Sequence, residues 1–328
     1  MMSPITHNIL NAIDPNRLHL ILFPTEQCNF RCTYCYEKFK LSKMPFDIVE
    51  GIKSLLSTRI PEINHLEISW FGGEPLLAKE IVLKVSSHVA EIVKEFPSLV
   101  YESNMTTNGS LLNLEIFEQL CSLGVNFFQI SLDGDCEVHN QTRKGKGEKD
   151  TFNTIWENLL KIRDSSCLDS TIMLRIHYSP NTWNSLSRLI NLINLEFSDD
   201  SRFKVYFKSI EKLGSINDSS ILTFSHGSKQ KIEKILKSQL KNTNMIYRSS
   251  LDENYICYAS KANSLIVRSD GNLAKCTVAL YNEKNVIGKL NSDGSITIND
   301  GYYKLWLKGL ENLDPIALSC SYTYIKNL

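Results

Sequence analysis

The 328-residue chain has no excess of charge: 36 Lys and Arg balance 36 Asp and Glu, giving a formal net charge of zero and a pI near 7. It therefore lacks the basic footprint by which a dedicated nucleic-acid binder engages phosphates, and no nucleic-acid partner is expected. Long apolar runs are missing as well. The longest, LHLILF at 18–23, is strand-sized, against the roughly 20 residues that span a bilayer, so no membrane partner is expected. Residues 1–17 lack the charged segment and apolar stretch of a secretory signal. The expected location is the cytoplasm, where thiols stay reduced. Tandem repeats and low-complexity tracts are also absent, which excludes solenoids and compositional disorder. With 42% apolar residues the composition is that of an ordinary globular protein. The length suggests about two domains, enough to bury a core without staples.

What the chain does have is cysteine. Nine are present, an odd number that fits a disulfide framework poorly, and Cys28, Cys32 and Cys35 fall within eight positions. In a reducing compartment such clustering reads as metal ligation or catalysis.

Periodicity supplies the frame. Strand-like runs at 18–23, 66–70, 101–107, 125–131, 171–178 and 203–210 alternate with helix-like segments at 46–60, 78–96, 114–124, 151–164 and 182–197. Six strands alternating with helices argue a parallel α/β domain over 18–210. A closed eight-unit barrel takes about 250 residues, so an open six-unit partial barrel or a doubly wound sheet remains. In either, loops after the strand C-termini build the site. The cysteine cluster follows the first run, GGEP the second, TNG the third and LDG the fourth. Residues 211–254 read as a polar linker with a solvated amphipathic helix at 227–243. Residues 255–328 read as a small second unit opened by a hairpin at Asp270-Gly271. Residues 1–17 are left as an N-terminal extension.

The segment TEQCNFRCTYCYEKF spaces its cysteines as C-x3-C-x2-C. Zinc usually takes four ligands in a closed tetrahedron. Three local thiolates suit a 4Fe–4S cube with one iron left open, since purely electron-transferring clusters are normally held by four cysteines. A zinc loop or buried free thiols is the alternative. The spacing, with Tyr34 before the third cysteine, resembles the signature of the radical S-adenosylmethionine (SAM) superfamily. That resemblance covers roughly 18–280. It implies an open six-unit partial barrel of the (β/α)6 type, a 4Fe–4S cluster on Cys28, Cys32 and Cys35, and SAM on the open iron. Reductive cleavage of SAM then gives methionine and a 5′-deoxyadenosyl radical that abstracts a substrate hydrogen. It further implies SAM contacts from Gly72, Gly73, Glu74 and Pro75 of GGEP, with Glu74 expected to anchor its loop rather than react. Asn108, Ser131, Asp133 and Arg175 are implied for the ribose hydroxyls and the methionyl carboxylate. The stretch from His139 to Phe152 resembles the family's H-D-x-x-R…G-x-G-T-F pattern, with Asn140 in the aspartate position. Arg143 is the candidate carboxylate contact there, and His177 is given no role.

Cys257 and Cys276 are spaced C-x13-G-x4-C around Gly271, and Cys320 follows. This resembles the opening of SPASM and twitch domains, which add auxiliary 4Fe–4S clusters. The pattern departs from them after Cys320, where Thr323 stands in the position of the next cysteine. The expectation is a truncated domain over 255–328 with metal ligands Cys257, Cys276 and Cys320. These support one auxiliary cluster if its fourth site is open or filled from outside; the alternative is a degenerate module with none. Cys121, Cys136 and Cys167 are read as bystanders.

The wording CTYCYE, WFGGEPLL, TTNG and QISLDG resembles maturases of ribosomally made and post-translationally modified peptides (RiPPs) and anaerobic sulfatase maturases. The resemblance implies hydrogen abstraction from a short precursor peptide and formation of a cross-link. An electron donor such as flavodoxin or ferredoxin is expected, and since 17 residues are too few for a recognition domain, the leader is expected to bind the enzyme body or a separate leader-recognition protein. The alternatives are sulfatase-type maturation or dehydrogenation of a small molecule, and a non-enzymatic iron–sulfur protein.

Overall fold

The computed structural model describes residues 4–147, 150–247, 255–326 and 328. Two residues of the basic run 143–149 and most of the linker's end, 248–254, lie outside the described residues. Along the chain, α1 (Pro4–Ile13) leads into β1 (Arg17–Leu22), β2 (Phe30–Cys32), α2 (Phe46–Arg59), β3 (His65–Trp70), α3 (Lys79–Val93) and β4 (Val100–Thr107). Then come α4 (Leu114–Ser122), β5 (Val125–Leu132), α5 (Cys136–Thr142), β6 (Arg143–Gly145), α6 (Thr151–Arg163), β7 (Thr171–Tyr178), α7 (Leu186–Phe197), β8 (Phe203–Ser209) and α8 (His226–Ser238). The chain closes with β9 (Ser264–Val267), β10 (Asn272–Ala274), β11 (Gly288–Leu290), β12 (Ile296–Ile298), α9 (Asp300–Trp306), α10 (Lys308–Asn312), α11 (Pro315–Ser319) and α12 (Ser321–Ile325). The six expected strands are β1, β3, β4, β5, β7 and β8. No helix among the described residues is long and apolar enough to cross a membrane.

The chain divides into two compact units, 1–27 with 40–103 and 250–328, and 28–39 with 104–249. In the first, β1 lies between β3 and β9 and is parallel to both. Strands β10, β11 and β12 extend the edge antiparallel. The hairpin expected at 270–271 is therefore not free-standing. A two-stranded hairpin is marginal in water, and this one gains a ladder by pairing Leu265, Ile266 and Val267 with Leu20, Ile21 and Leu22. Ile21, Phe23, Ile266, Ala274 and Leu280 bury together beneath it. The N-terminal segment likewise packs rather than trails: Ala12 of α1 is buried against Ile256 and Leu318.

In the second unit β5, β7 and β8 are parallel. Aromatic pairs fill the layer beneath the helices: Phe117 on Phe128 at 5.0 Å and Phe197 on Phe203 at 4.2 Å. The short β2 and β6 form an antiparallel ribbon of their own. Strand β4 carries the chain from the first unit into the second.

In each unit the central strands carry a polar face. On β3, Leu66, Ile68 and Trp70 are buried while His65, Glu67 and Ser69 face the other way, half-buried. On β5 and β7 the polar set is Gln129, Ser131, Arg175 and His177, with Ser131 in register with Arg175. Parallel sheets covered on both faces read as near-continuous apolar runs.

Candidate functional site

In the second unit, β2 carries three residues of the cysteine loop into the ribbon, pairing Phe30 with Gly145, Arg31 with Lys144 and Cys32 with Arg143. Thr33 N–H extends the ladder to the Thr142 carbonyl at 2.8 Å. All three cysteines are half-buried. The Phe30 amide donates to Cys28 Sγ at 3.3 Å, and the Glu37 amide donates to the Cys35 sulfur. Burial and the neighbouring sulfurs of Cys32 and Cys28 push the Cys35 thiol up to about 12; burial likewise raises Cys32. Amides aimed at sulfur favour thiolates, whereas burial without a cation opposes them. The loop is thus arranged for anionic sulfur, and the Arg143 and Arg31 charges oppose the rise that burial imposes on Cys32. Asn108 braces it: Nδ2 donates to Asn29 Oδ1 at 2.8 Å and reaches Cys28 Sγ at 3.9 Å, while Oδ1 accepts from Ser110 N–H at 2.9 Å.

Tyr34 is the loop's inward anchor. Its hydroxyl donates to Asp133 Oδ1 at 2.9 Å, and Arg143 Nη1 donates to the same hydroxyl at 2.8 Å. His177 Nδ1 lies 3.1 Å from that carboxylate oxygen, and Thr142 Oγ1 donates to Oδ2 at 3.0 Å. Asp133 is 1% exposed. Burial opposes its charge, but the His177 hydrogen bond and the Arg143 guanidinium hold its carboxyl well below the usual range. Burial keeps His177 neutral, lowering it to about 4 despite Asp133. Burial also opposes the charge on Arg143, yet Cys32, Tyr34 and Asp133 hold it firmly protonated. Both Asp133 oxygens are thus engaged by protein. On the polar face Arg175 Nη1 reaches Gln129 Oε1 at 3.4 Å, and its buried Nε has no protein partner. The Nε of Arg143 is buried without a partner as well.

The departure at Asn140 has a physical account. Its Oδ1 accepts from Phe152 N–H at 2.9 Å and Thr151 Oγ1 at 3.0 Å, at the start of α6. Its Nδ2 donates to Asp150 Oδ1 at 3.1 Å, a bond an aspartate could not make. His139 Nδ1 accepts from Asp133 N–H at 3.3 Å, and its ring meets Phe152 edge-on at 5.5 Å. Thr151 Oγ1 shares its one hydrogen between Asn140 Oδ1 and the Arg143 carbonyl, 2.9 Å away. The H-N-x-x-R…T-F pattern is therefore a clamp between α5 and α6 that sets Arg143.

In the first unit, GGEP follows β3. A Cβ on Gly72 would lie 2.2 Å from the Thr25 carbonyl oxygen, and one on Gly73 would lie 2.4 Å from that of Gln27. Gly72 also adopts a φ of 122°. The glycines let this turn close on residues 25–27, the segment leading into Cys28. Glu74 N–H donates to the Gln27 carbonyl at 2.9 Å, and Glu74 Oε1 caps the turn begun by Pro75, accepting from Leu76 N–H at 3.0 Å. Sequence reasoning missed a second lock on this segment. Arg268 donates through Nε and Nη2 to the two oxygens of Glu26 at 2.8 and 2.9 Å, and through Nη1 to the Leu280 carbonyl at 3.0 Å. Partners 242 positions apart leave no local signal.

The fold also gathers the second cysteine set. Burial and the charges of Cys257 and Cys320 push Cys276 up to about 12, while the Ala279 and Val278 amides donate to its sulfur. The Ala259 amide donates to the Cys257 sulfur, which burial and Cys320 raise. Asn285, 1% exposed, shapes the knuckle by accepting from the amides of Lys275 and Cys276 at 3.0 Å and donating to the Cys276 carbonyl at 2.9 Å. Among the described residues no three Cys, His, Asp or Glu form a group that would hold a single metal ion. A cubane makes no such demand, because each thiolate binds a different iron. Of the remaining cysteines, Cys121 and Cys167 share a hydrogen bond, and Cys136 lies 3.7 Å from Asp150 with its thiol raised by burial and that carboxylate.

Residues 22–193 match the family model described as "Radical SAM superfamily". The chain belongs to the radical SAM superfamily. Radical SAM proteins use a 4Fe–4S cluster and SAM. Relatives include a GTP 3′,8-cyclase of Microcystis aeruginosa, 36% identical over 38% of this chain and 36% of that one. Another is a cysteine-type anaerobic sulfatase-maturating enzyme of Clostridium perfringens, 27% identical over 42% of this chain and 39% of that one. The chain spans about half the length of the first curated relatives it matches. Among solved structures, anSMEcpe with bound AdoMet aligns over 88% of this chain and 83% of its own with a TM-score of 0.65 at 19% identity. SuiB of Streptococcus suis bound to its precursor peptide SuiA aligns over 92% and 69% with a TM-score of 0.61 at 13% identity. These show the fold: α/β with a mostly parallel central sheet, the radical SAM partial barrel. The residues present fit the family's cluster, since the Cys28 and Cys35 sulfurs already receive backbone amides, the donors that stabilise and tune thiolate-bound iron.

Proposed function

We propose that this chain is a radical SAM enzyme that modifies a peptide, with Cys28, Cys32 and Cys35 as cluster ligands and a cross-link on a short ribosomal precursor as product. The observation that carries the reading is the prepared cysteine loop: amides on the sulfurs, and Tyr34 fixed by Asp133 and Arg143. When bound, the cluster and SAM supply a 5′-deoxyadenosyl radical for hydrogen abstraction. The chain's residues hold and orient. Asn108 braces the loop at Cys28, and Asp133, Arg143 and His177 fix Tyr34. The turn of Gly72, Gly73, Glu74 and Pro75 offers backbone carbonyls to the methionyl ammonium. Ser131 and Arg175, on the polar face with a guanidinium nitrogen unpartnered, suit hydroxyls and a carboxylate.

Cys257, Cys276 and Cys320 are proposed as ligands of one auxiliary 4Fe–4S cluster, which three protein thiols leave open at one iron. Likeness to anSMEcpe and SuiB, the latter bound to a precursor peptide, supports a peptide partner. A flavodoxin- or ferredoxin-type donor and a separate leader-binding protein complete the proposed set. The second reading, oxidation or cyclisation of a small molecule, is favoured by likeness to the GTP 3′,8-cyclase. Thr277 weakens an auxiliary-loop base: no carboxylate stands after Cys276, and the Thr277 hydroxyl is held by Tyr258 at 2.7 Å.

The discriminating experiment supplies the reconstituted enzyme with SAM, a low-potential reductant and peptides encoded by short reading frames beside its gene. Loss of two hydrogens from one peptide, mapped to two linked residues, is the expected result. SAM cleavage with no peptide altered, alongside turnover of a nucleotide, would reverse the order of the two readings.

A further inference from the structure

The residues after β8 reach back to the cysteine loop. Ser215 Oγ donates to the Cys35 carbonyl at 2.8 Å, and Asn217 Nδ2 donates to the Thr33 carbonyl at 3.1 Å. Both acceptors lie on the C-x2-C half of the cluster motif. The donors are set by a tight turn. Gly214, at φ 89°, gives its N–H to Asp218 Oδ2 at 2.8 Å, and Ser215 Oγ also accepts from Asn217 N–H at 3.1 Å. Apolar burial does not hold this turn in place, because Leu213 is 36% and Ile216 94% exposed. The apolar side chains point out while the polar ones are directed at the loop, the reverse of what packing alone would select.

We propose that Ser215 and Asn217 are positioning residues for the cysteine loop: a strap that fixes the Thr33 and Cys35 carbonyls and thereby the placement of the Cys32 and Cys35 sulfurs. This rests on the reading that the loop carries the SAM-binding cluster. A loop whose carbonyls are tied has fewer conformers to lose when its thiolates bind iron, so the strap slows release of the cluster and shields the thiols before it is built. Cluster potential responds to hydrogen bonding and solvent exposure around the sulfurs, so the strap also sets that potential.

The test uses the full chain with Ser215→Ala, Asn217→Ala, the double variant and Ser215→Thr, which keeps the hydroxyl. In the cluster-free protein, iodoacetamide labelling of Cys35 is followed by peptide mass spectrometry. In the reconstituted protein, chelator bleaching and the electron paramagnetic resonance spectrum of the reduced cluster are recorded. The double variant is expected to label and bleach roughly 5- to 150-fold faster, the loss of two ordinary hydrogen bonds, with a shifted resonance spectrum and a melting temperature lowered by only several degrees. Ser215→Thr is expected to track the wild type. Wild-type labelling and bleaching rates in the double variant would overturn the proposal, as would a Ser215→Thr variant no better than Ser215→Ala. If the wild type loads no cluster, the ligand assignment fails, and labelling still decides whether the strap holds Cys35.

Discussion

Replacing Arg268 with Met should destabilise the protein by about 3–5 kcal/mol. Glu26 is fully buried and Arg268 is 7% exposed. Two parallel bonds of 2.8 and 2.9 Å join them, and a third ties Arg268 to the Leu280 carbonyl at 3.0 Å. Burial opposes the Arg268 charge, but Glu26 raises its pKa above the ordinary value, as expected of a committed pair. Removing one partner leaves a desolvated charge with nothing to balance it, which costs about 3–5 kcal/mol; replacing both with apolar side chains is often neutral. Domains are stable by only about 5–15 kcal/mol in total, so the single variant loses a large share. Glu26→Met with Arg268→Met should recover most of the loss, giving a coupling of at least about 2 kcal/mol in a double-mutant cycle. Urea unfolding followed by far-ultraviolet circular dichroism reads each corner. A loss below about 1 kcal/mol for Arg268→Met would refute the reasoning. So would a double variant whose loss equals the sum of the singles. Glu26 sits two residues before Cys28, so Arg268→Met should also weaken iron retention in parallel with stability.

Gly73→Ala brings a methyl to within 2.4 Å of the Gln27 carbonyl oxygen and 2.7 Å of that of Glu26. Backbone on both sides must move, and iron content after reconstitution should fall by more than half; normal loading would contradict the packing role. His139 is held near 3 by burial and the Arg143 charge, below its unfolded value of about 6.5. Between these values the unfolded chain binds more protons, so the stability this neutral ring contributes is complete above pH 6.5 and is lost on acidification. The loss by pH 4 is at most about 3 kcal/mol. His139→Asn should flatten the pH 7-to-4 stability slope of the cluster-free protein, and an unchanged slope would count against the buried neutral ring. Asn108→Ala removes the bonds to Asn29 and Ser110 and the contact to Cys28; faster chelator bleaching is expected, with the unfolding free energy lowered by about 1–3 kcal/mol.

Long strands were legible because alternation and β-branched runs over six to eight residues are local signals. Strands β1, β3, β4, β5, β7 and β8 sit within one residue of their runs. The three-residue β2 and β6 were not, since so short a ribbon leaves no period to read. The cysteine motif and GGEP announce themselves by spacing and composition. What surrounds them does not: Arg268, Ser215 and Asn217 reach their partners across 180 residues or more, and only folding shows the match. The polar face was half-legible. Arg175 and His177 share a strand face by their spacing, but His177 was given no role and proves to be a buried partner of Asp133 and Tyr34.

The central claim is that Cys28, Cys32 and Cys35 carry a cluster that cleaves SAM. Protein purified without oxygen and reconstituted with iron and sulfide should release 5′-deoxyadenosine from SAM under a low-potential reductant, and Cys32→Ala should release none. A fully loaded wild type that leaves SAM intact would contradict the account, as would a Cys32→Ala variant as active as the wild type.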